Sequence, residues 1–240
     1  MTVPEVDRGV HGAETPVPRA EVHLVPDTVA FQSTRRRSAY EVLVKPVFDR
    51  TLAAVALVVT APLSLAIAGL VRITMGPGVI FKQARVGRGE ETFTAYKFRT
   101  MRHDRRASDA ADGPVPPESD RRTSHKRHDN PLITTVGRFL RKWSLDEIPQ
   151  LLNVVKGDMS LVGPRPELVS VVARYEPWQH RRHEVKPGVT GLWQITARSE
   201  GPAHQNTQLD IAYVDTISLR TDLRIIFKTP MAMLGDQQGF

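Results

Sequence analysis

Thr51-Leu-Ala-Ala-Val-Ala-Leu-Val-Val-Thr-Ala-Pro-Leu-Ser-Leu-Ala-Ile-Ala-Gly-Leu-Val71 is an unbroken run without a charged residue. As one helix, its 21 residues would rise about 32 Å, enough to cross the hydrocarbon core of a bilayer. Pro62 stands in the middle, where its ring and missing N–H bend a helix. Basic residues flank the run on both sides: Arg35, Arg36, Arg37 and Arg50 before it, Arg72, Lys82 and Arg85 after it. A straight span would carry one of these clusters across the membrane, against the positive-inside tendency. A re-entrant hairpin that turns at Pro62 keeps both clusters on the cytoplasmic side, and it is the favoured reading. The competing reading is a buried helix in a soluble core. The expected organisation is a disordered basic tail over 1–40, a membrane-inserted re-entrant helix over 41–75 and a cytosolic domain over 76–240.

The chain has 240 residues, a formal net charge of +7 and no cysteine. The absence of cysteine excludes disulfides and thiolate metal sites. The positive balance favours phosphate-rich partners or an anionic lipid surface. Aromatic residues make up only 6% and no recognition motif is present, which points away from nucleic acid. Neither the dinucleotide nor the P-loop glycine fingerprint occurs. Val79–Phe81 and Thr92–Phe98 read as two short strands around a Gly87/Gly89 turn. His103 to Pro131 is polar and proline-containing, a long loop whose His103, His125 and His128 lack metal-site spacing. Leu168 to Trp178 is amphipathic, and Asp210 to Leu234 is helical in pattern. The expected fold class is therefore α+β and mainly helical: a re-entrant membrane helix with a small cytosolic domain containing a short β-hairpin and interfacial amphipathic helices.

The chemistry concentrates in Arg141-Lys-Trp-Ser-Leu-Asp-Glu-Ile-Pro-Gln-Leu-Leu-Asn-Val-Val-Lys156. Leu140, Trp143, Ile148, Leu151, Leu152 and Val155 recur at helical spacing. Ser144 followed by Glu147 reads as a capping box, which places Asp146 and Glu147 in a first turn that favours anions. Two acids capping an ordinary helix would give the same pattern. Dispersed cations, however, accompany the pair at Lys97, Arg99, Arg141, Arg165, Lys186 and Arg198. Pro164 and Pro166 restrict the backbone around Arg165, and an arginine fork matches phosphate geometry. A carboxylate ionised at neutral pH needs no base to act as a nucleophile. Mg²⁺ commonly binds through one or two carboxylates plus substrate phosphates, so one acid is free to attack while its neighbour holds the metal.

Several stretches together carry a resemblance: Lys45-Pro-Val-Phe-Asp-Arg50, Tyr96-Lys-Phe-Arg-Thr-Met101, Ser144-Leu-Asp-Glu147, Gly157-Asp-Met-Ser-Leu-Val-Gly-Pro-Arg-Pro166, Lys186-Pro-Gly-Val-Thr-Gly-Leu-Trp-Gln194 and Asp210-Ile-Ala-Tyr-Val214. In this order and spacing the chain resembles the bacterial sugar transferase family of monotopic polyprenyl-phosphate phosphoglycosyltransferases. The resemblance implies that Asp146 attacks the β-phosphate of a UDP-sugar and expels UMP. Undecaprenyl phosphate then takes the sugar phosphate, and Glu147 corresponds to the Mg²⁺ ligand. It also implies that Lys97, Arg99, Arg141, Arg165, Lys186, Arg198 and Asp210 bind substrate or phosphate. The implied setting is the inner membrane with the catalytic domain facing the cytoplasm, in exopolysaccharide or related glycan initiation. The wording Gly191-Leu-Trp-Gln194 is more like the hexose-phosphate transferases. A homodimer stays open, as does a catalytically silent, membrane-tethered module that binds anionic lipid or assembly partners. UMP release distinguishes the enzyme from the module.

Overall fold

The uncharged run folds as part of one uninterrupted helix, α1 (Lys45–Met75), preceded by a π-helical turn at Tyr40–Val44. This computed structural model describes residues 35–102, 132–196, 204 and 206–235. The expected turn at Pro62 is not a break in α1, because helical backbone continues on both sides of the proline. A single proline removes only one ladder hydrogen bond. Just before it, the Thr60 hydroxyl donates back to the Ala56 carbonyl at 2.7 Å, a contact that also bends helices.

Both ends of α1 pack on the same body. Ala53 is buried with Val154, Met159, Val162 and Tyr213. Ile67 and Val71 are buried with Phe98 and Leu140. Between them Val55, Val58, Val59, Leu63 and Leu65 are exposed. In the most apolar stretch of this helix only 11% is buried, which removes the reading of a soluble core helix. Burying so little of so apolar a surface is costly in water and favourable in lipid.

The rest follows in chain order. Strands β1 (Ile80–Val86) and β2 (Thr92–Phe98) pair antiparallel, from Ile80 opposite Phe98 to Val86 opposite Thr92. The expected hairpin is present, with a longer first strand. Helix α2 (Thr135–Lys142) starts at Thr134, whose hydroxyl accepts from the Gly137 amide at 2.9 Å. The single capped helix expected around the acids is not formed. Leu145–Glu147 is a 3₁₀ turn and α3 (Gln150–Lys156) begins only after Pro149. Ser144 is left-handed (φ 51°) and makes no side-chain cap. Glu147 cannot complete the capping box because two cations hold its carboxylate, as described below.

Strands β3 (Ser160–Val162) and β4 (Gly188–Thr190) form a parallel pair that the sequence pattern did not announce. Gly163 and Gly188 permit it. A Cβ on Gly188 would lie 2.1 Å from the Gly163 amide nitrogen, a distance no side chain tolerates. The amphipathic stretch expected to reach Trp178 is divided into a single turn, α4 (Val169–Val172), and a 3₁₀ segment at Pro177–Glu184. Helices α5 (Leu192–Thr196), α6 (Thr207–Thr216) and α7 (Leu219–Gly235) complete the chain. The architecture is mainly helical with two small sheets. The polar loop expected from His103 to Pro131, and the tail up to residue 34, lie outside the described residues. Arg35 is held by Glu41 at 2.6 Å and by Glu184 at 3.3 Å.

Candidate active site

Three segments bring their charged side chains to one place. The end of β2 supplies Lys97, the 3₁₀ turn supplies Asp146 and Glu147, and the turn after β3 supplies Arg165. Lys97 Nζ donates to Glu147 Oε1 at 2.6 Å, and Arg165 Nη2 donates to the same oxygen at 2.8 Å. Burial raises the Glu147 pKa, but the charges of Arg165 and Lys97 outweigh it and hold the carboxyl well below the usual range. Among the described residues Oε2 accepts no hydrogen bond. Glu147 is thus fixed as an anion with one oxygen spare.

Asp146 is different. It is buried (9% exposed) and, among the described residues, its carboxyl takes part in no hydrogen bond or close ion pair. Burial pushes its pKa up to about 6 and the charge of Glu147 adds to that, against the pull of Lys97, Arg141 and Arg165. The first-turn preference for anions therefore does not dominate here, because there is no helix start and desolvation is the larger effect. At neutral pH the group is still mostly ionised. A buried, unengaged carboxylate faced by three cations has the charge and freedom that attack on an anionic centre requires.

Arg141 is oriented from behind, its Nε donating to Thr100 Oγ1 at 2.9 Å. That contact depends on Gly137, where a Cβ would fall 1.9 Å from the Thr100 carbonyl oxygen. The Arg165 guanidinium also lies over the Trp193 ring at 5.8 Å, a contact the sequence reading missed.

Other expected site residues lie elsewhere. Arg99 Nη2 donates to the Met75 and Gly76 carbonyls at 2.6 and 2.9 Å, closing the C-terminus of α1. Lys186 is half-buried, and its pKa is lowered by burial and by the charges of Arg88 and Arg50. Its electrostatic neighbours do not include the acidic pair. Asp210 is buried and its Oδ2 lies 2.6 Å from Arg182 Nη2. Arg198 lies outside the described residues. Pro62 is in the exposed middle of α1. Arg182, within the basic run Arg181-Arg182-His183, is one of the most buried side chains.

Among the described residues no cluster of three or more His, Cys, Asp or Glu could hold a metal. Asp146 and the spare oxygen of Glu147 do offer hard oxygen donors. That set suits Mg²⁺, which leaves several positions to water and substrate phosphate, and does not suit a closed all-protein cage.

The family model for bacterial sugar transferases matches residues 40–236. The chain belongs to the bacterial sugar transferase family. This transferase is 42% identical over 192 residues to the uncharacterized sugar transferase EpsL of Bacillus subtilis strain 168, covering 80% of the chain and 88% of that protein. It is 38% identical over 193 residues to the undecaprenyl-phosphate galactose phosphotransferase of Salmonella typhimurium strain LT2, covering 79% and 40%. Over 213 residues it is also 38% identical to the UDP-glucose:undecaprenyl-phosphate glucose-1-phosphate transferase of Xanthomonas campestris pv. campestris, covering 85% and 41%. Other relatives of the transferase are named as exopolysaccharide production proteins.

Proposed function

We propose that this transferase moves a sugar-1-phosphate, a hexose phosphate, from a UDP-sugar to undecaprenyl phosphate, through a phosphosugar ester on Asp146. The observation that carries the reading is the pair of unlike carboxylates. Glu147 is pinned by Lys97 and Arg165, while the adjacent Asp146 is buried and unengaged. In the first step an Asp146 oxygen bonds to the β-phosphorus, the bond from that phosphorus to the bridging oxygen breaks, and UMP leaves. In the second, an oxygen of the acceptor phosphate bonds to the same phosphorus and the Asp146 carboxylate departs. The products are UMP and a polyprenyl diphosphate sugar. Lys97, Arg141 and Arg165 offset the charge that would otherwise repel the carboxylate from the diphosphate. Mg²⁺ held by Glu147, with Asp146 beside it, would neutralise further phosphate charge as a Lewis acid. The hexose assignment is supported by relatives named for glucose and for galactose.

The membrane-inserted helix fits a lipid acceptor. Both ends of α1 pack on one globular body, and a straight transbilayer helix presents only one end to a body on one side. With basic clusters at both ends, we read α1 as re-entrant and bent near Pro62, with the catalytic domain on the cytoplasmic face.

The test is UMP release from a panel of UDP-glucose, UDP-galactose and UDP-N-acetylglucosamine, in detergent with Mg²⁺ and undecaprenyl phosphate. Release from one hexose donor is expected. Folded protein that stays silent across the panel would overturn the reading. The same assay checks the pH dependence. The nucleophile is the ionised form of a group titrating near pH 6, so kcat/KM should rise with pH and level off above about 7. Below about pH 6 it should fall tenfold per unit. A flat profile from pH 5 to 8 would contradict Asp146 as the attacking group.

A further inference from the structure

Four consecutive carbonyls of the turn that bears Arg165 are each held by a donor from another segment. The Gly188 amide donates to Pro164 O at 2.9 Å, Arg182 Nη2 to Arg165 O at 2.6 Å, Arg85 Nη1 to Pro166 O at 3.1 Å, and the Val86 amide to Glu167 O at 3.0 Å. The donor to the central residue is the most costly to supply. Arg182 is 1% exposed, and a buried guanidinium is costly to desolvate unless it is paired. The pairing is provided. Asp210 Oδ2 lies 2.6 Å away and Glu167 Oε1 3.9 Å away, and the other end of the fork donates to the Tyr175 hydroxyl. None of these groups is among the contacts of Asp146 or Glu147. Their shared product is the fixed backbone of Arg165.

We infer that Arg182, braced by Asp210, is a positioning residue that holds the Arg165 carbonyl so that the guanidinium stays on Glu147 and over Trp193. The inference rests on the reaction proposed above. It also changes the role expected for Asp210, from binding substrate to bracing the arginine that sets the turn. The geometry gives the reason for an arginine. A single planar fork reaches a carbonyl, a carboxylate and a hydroxyl at once, which a lysine ammonium on its flexible stem does not reproduce. Without it, the flanking carbonyls keep their donors, but the peptide plane after Arg165 loses its own anchor and can tilt, letting the side chain shift on Glu147.

The test is a double-mutant cycle between Arg182→Gln and Arg165→Ala, read as kcat for UMP release, with thermal unfolding monitored in parallel. Arg182→Gln should lower kcat by about 10²-fold, the usual cost of misplacing a catalytic group by about 1 Å. Donor KM should change much less. In the Arg165→Ala background the same substitution should cost less than about twofold more, because the two act as one unit. Full losses that multiply in both backgrounds would show a general structural role and overturn the inference. Arg182→Lys, which keeps the charge and loses the fork, should recover little. Asp210→Asn provides a second route if Arg182→Gln does not fold, and should move kcat in the same direction.

A measurement independent of turnover separates this inference from the proposed reaction. The Arg165 Nη2–H signal, whose donor is held by Glu147 Oε1, followed by ¹⁵N NMR at low temperature, should be slow to exchange with water in the native chain. It should become fast in Arg182→Gln. An unchanged signal would overturn the clamp whatever the assay shows. If the native chain releases no UMP, the reaction fails while the Arg165 signal still decides the clamp.

Discussion

Asp146→Asn should abolish UMP release, by at least about 10⁴-fold, since in the proposed reaction it removes the covalent nucleophile on which every later step depends. It should do so without harming the fold. Burial and the neighbouring Glu147 raise the Asp146 pKa to about 6, so the folded site favours the uncharged form relative to the unfolded chain. The sign follows from linkage. An acid whose folded pKa lies above its unfolded value destabilises the fold once pH exceeds the unfolded value, and this penalty is complete above the folded one. Asparagine has nearly the shape of the protonated acid and carries no charge. At pH 7 the variant should therefore be as stable as the native chain or more so, by up to about 3 kcal/mol. That difference should vanish as pH falls from about 6 towards about 4.

Glu147→Gln should behave in the opposite way. Glu147 is the shared partner of Lys97 and Arg165, at 2.6 and 2.8 Å. Neutralising it leaves two partly exposed cations without their counter-charge, which should cost about 1–3 kcal/mol, between the surface and the fully buried cases. Adjacent carboxylates should thus lose activity together and separate in stability. Thermal unfolding of both variants at pH 7 and pH 5, alongside UMP release, reads all four outcomes. The proposed ester adds a further mark: without acceptor, the native chain should release a burst of about one UMP per active site. Residual turnover by Asp146→Asn above about 1% of native would contradict a nucleophilic Asp146.

The parts of this site that sequence reading found are those encoded locally. The adjacency of Asp146 and Glu147, the prolines on either side of Arg165 and the uncharged run from Thr51 to Val71 are all visible within a few residues of one another. The hairpin was legible too, because β2 alternates and a glycine turn precedes it. What escaped was set by distant partners. Strands β3 and β4 have three residues each, too few for a period, and their pairing depends on two glycines a long way apart in sequence. The capping box was misread because its local logic assumes a free Glu147, whereas Lys97 and Arg165 claim that carboxylate across the fold. Arg182 sits between Arg181 and His183 in what looks like a solvated charge run. Only the tertiary structure separates it from Arg181, which reaches Asp215 on the surface.

The same distinction between local pattern and distant partner bears on how α1 is joined to the enzyme. Asp222 lies in the first turn of α7 and is fully buried, at 0% exposed. It accepts from the Tyr40 hydroxyl and from Lys45 Nζ at 2.6 Å each, and from the Tyr213 hydroxyl at 2.7 Å. Lys45 also lies 3.4 Å from Asp49, whose carboxylate accepts from Ser160 Oγ at 2.6 Å. Asp222 thus ties the entry to α1 to α6 and α7, and Asp49 carries the tie on to β3. Asp222→Ala should destabilise the transferase by about 3–5 kcal/mol, since removing one member of a buried ion pair strands the other. Most of this cost comes from Lys45. Tyr213 keeps a second acceptor in the Val162 carbonyl at 3.0 Å, and Lys45 retains only the longer contact with Asp49. Denaturant unfolding in micelles should therefore show Lys45→Met combined with Asp222→Asn losing less than the sum of the two single changes, because together they remove both charges. Additive losses, or an Asp222→Ala penalty below about 1 kcal/mol, would mean that apolar packing around Ala53 alone holds α1 in place.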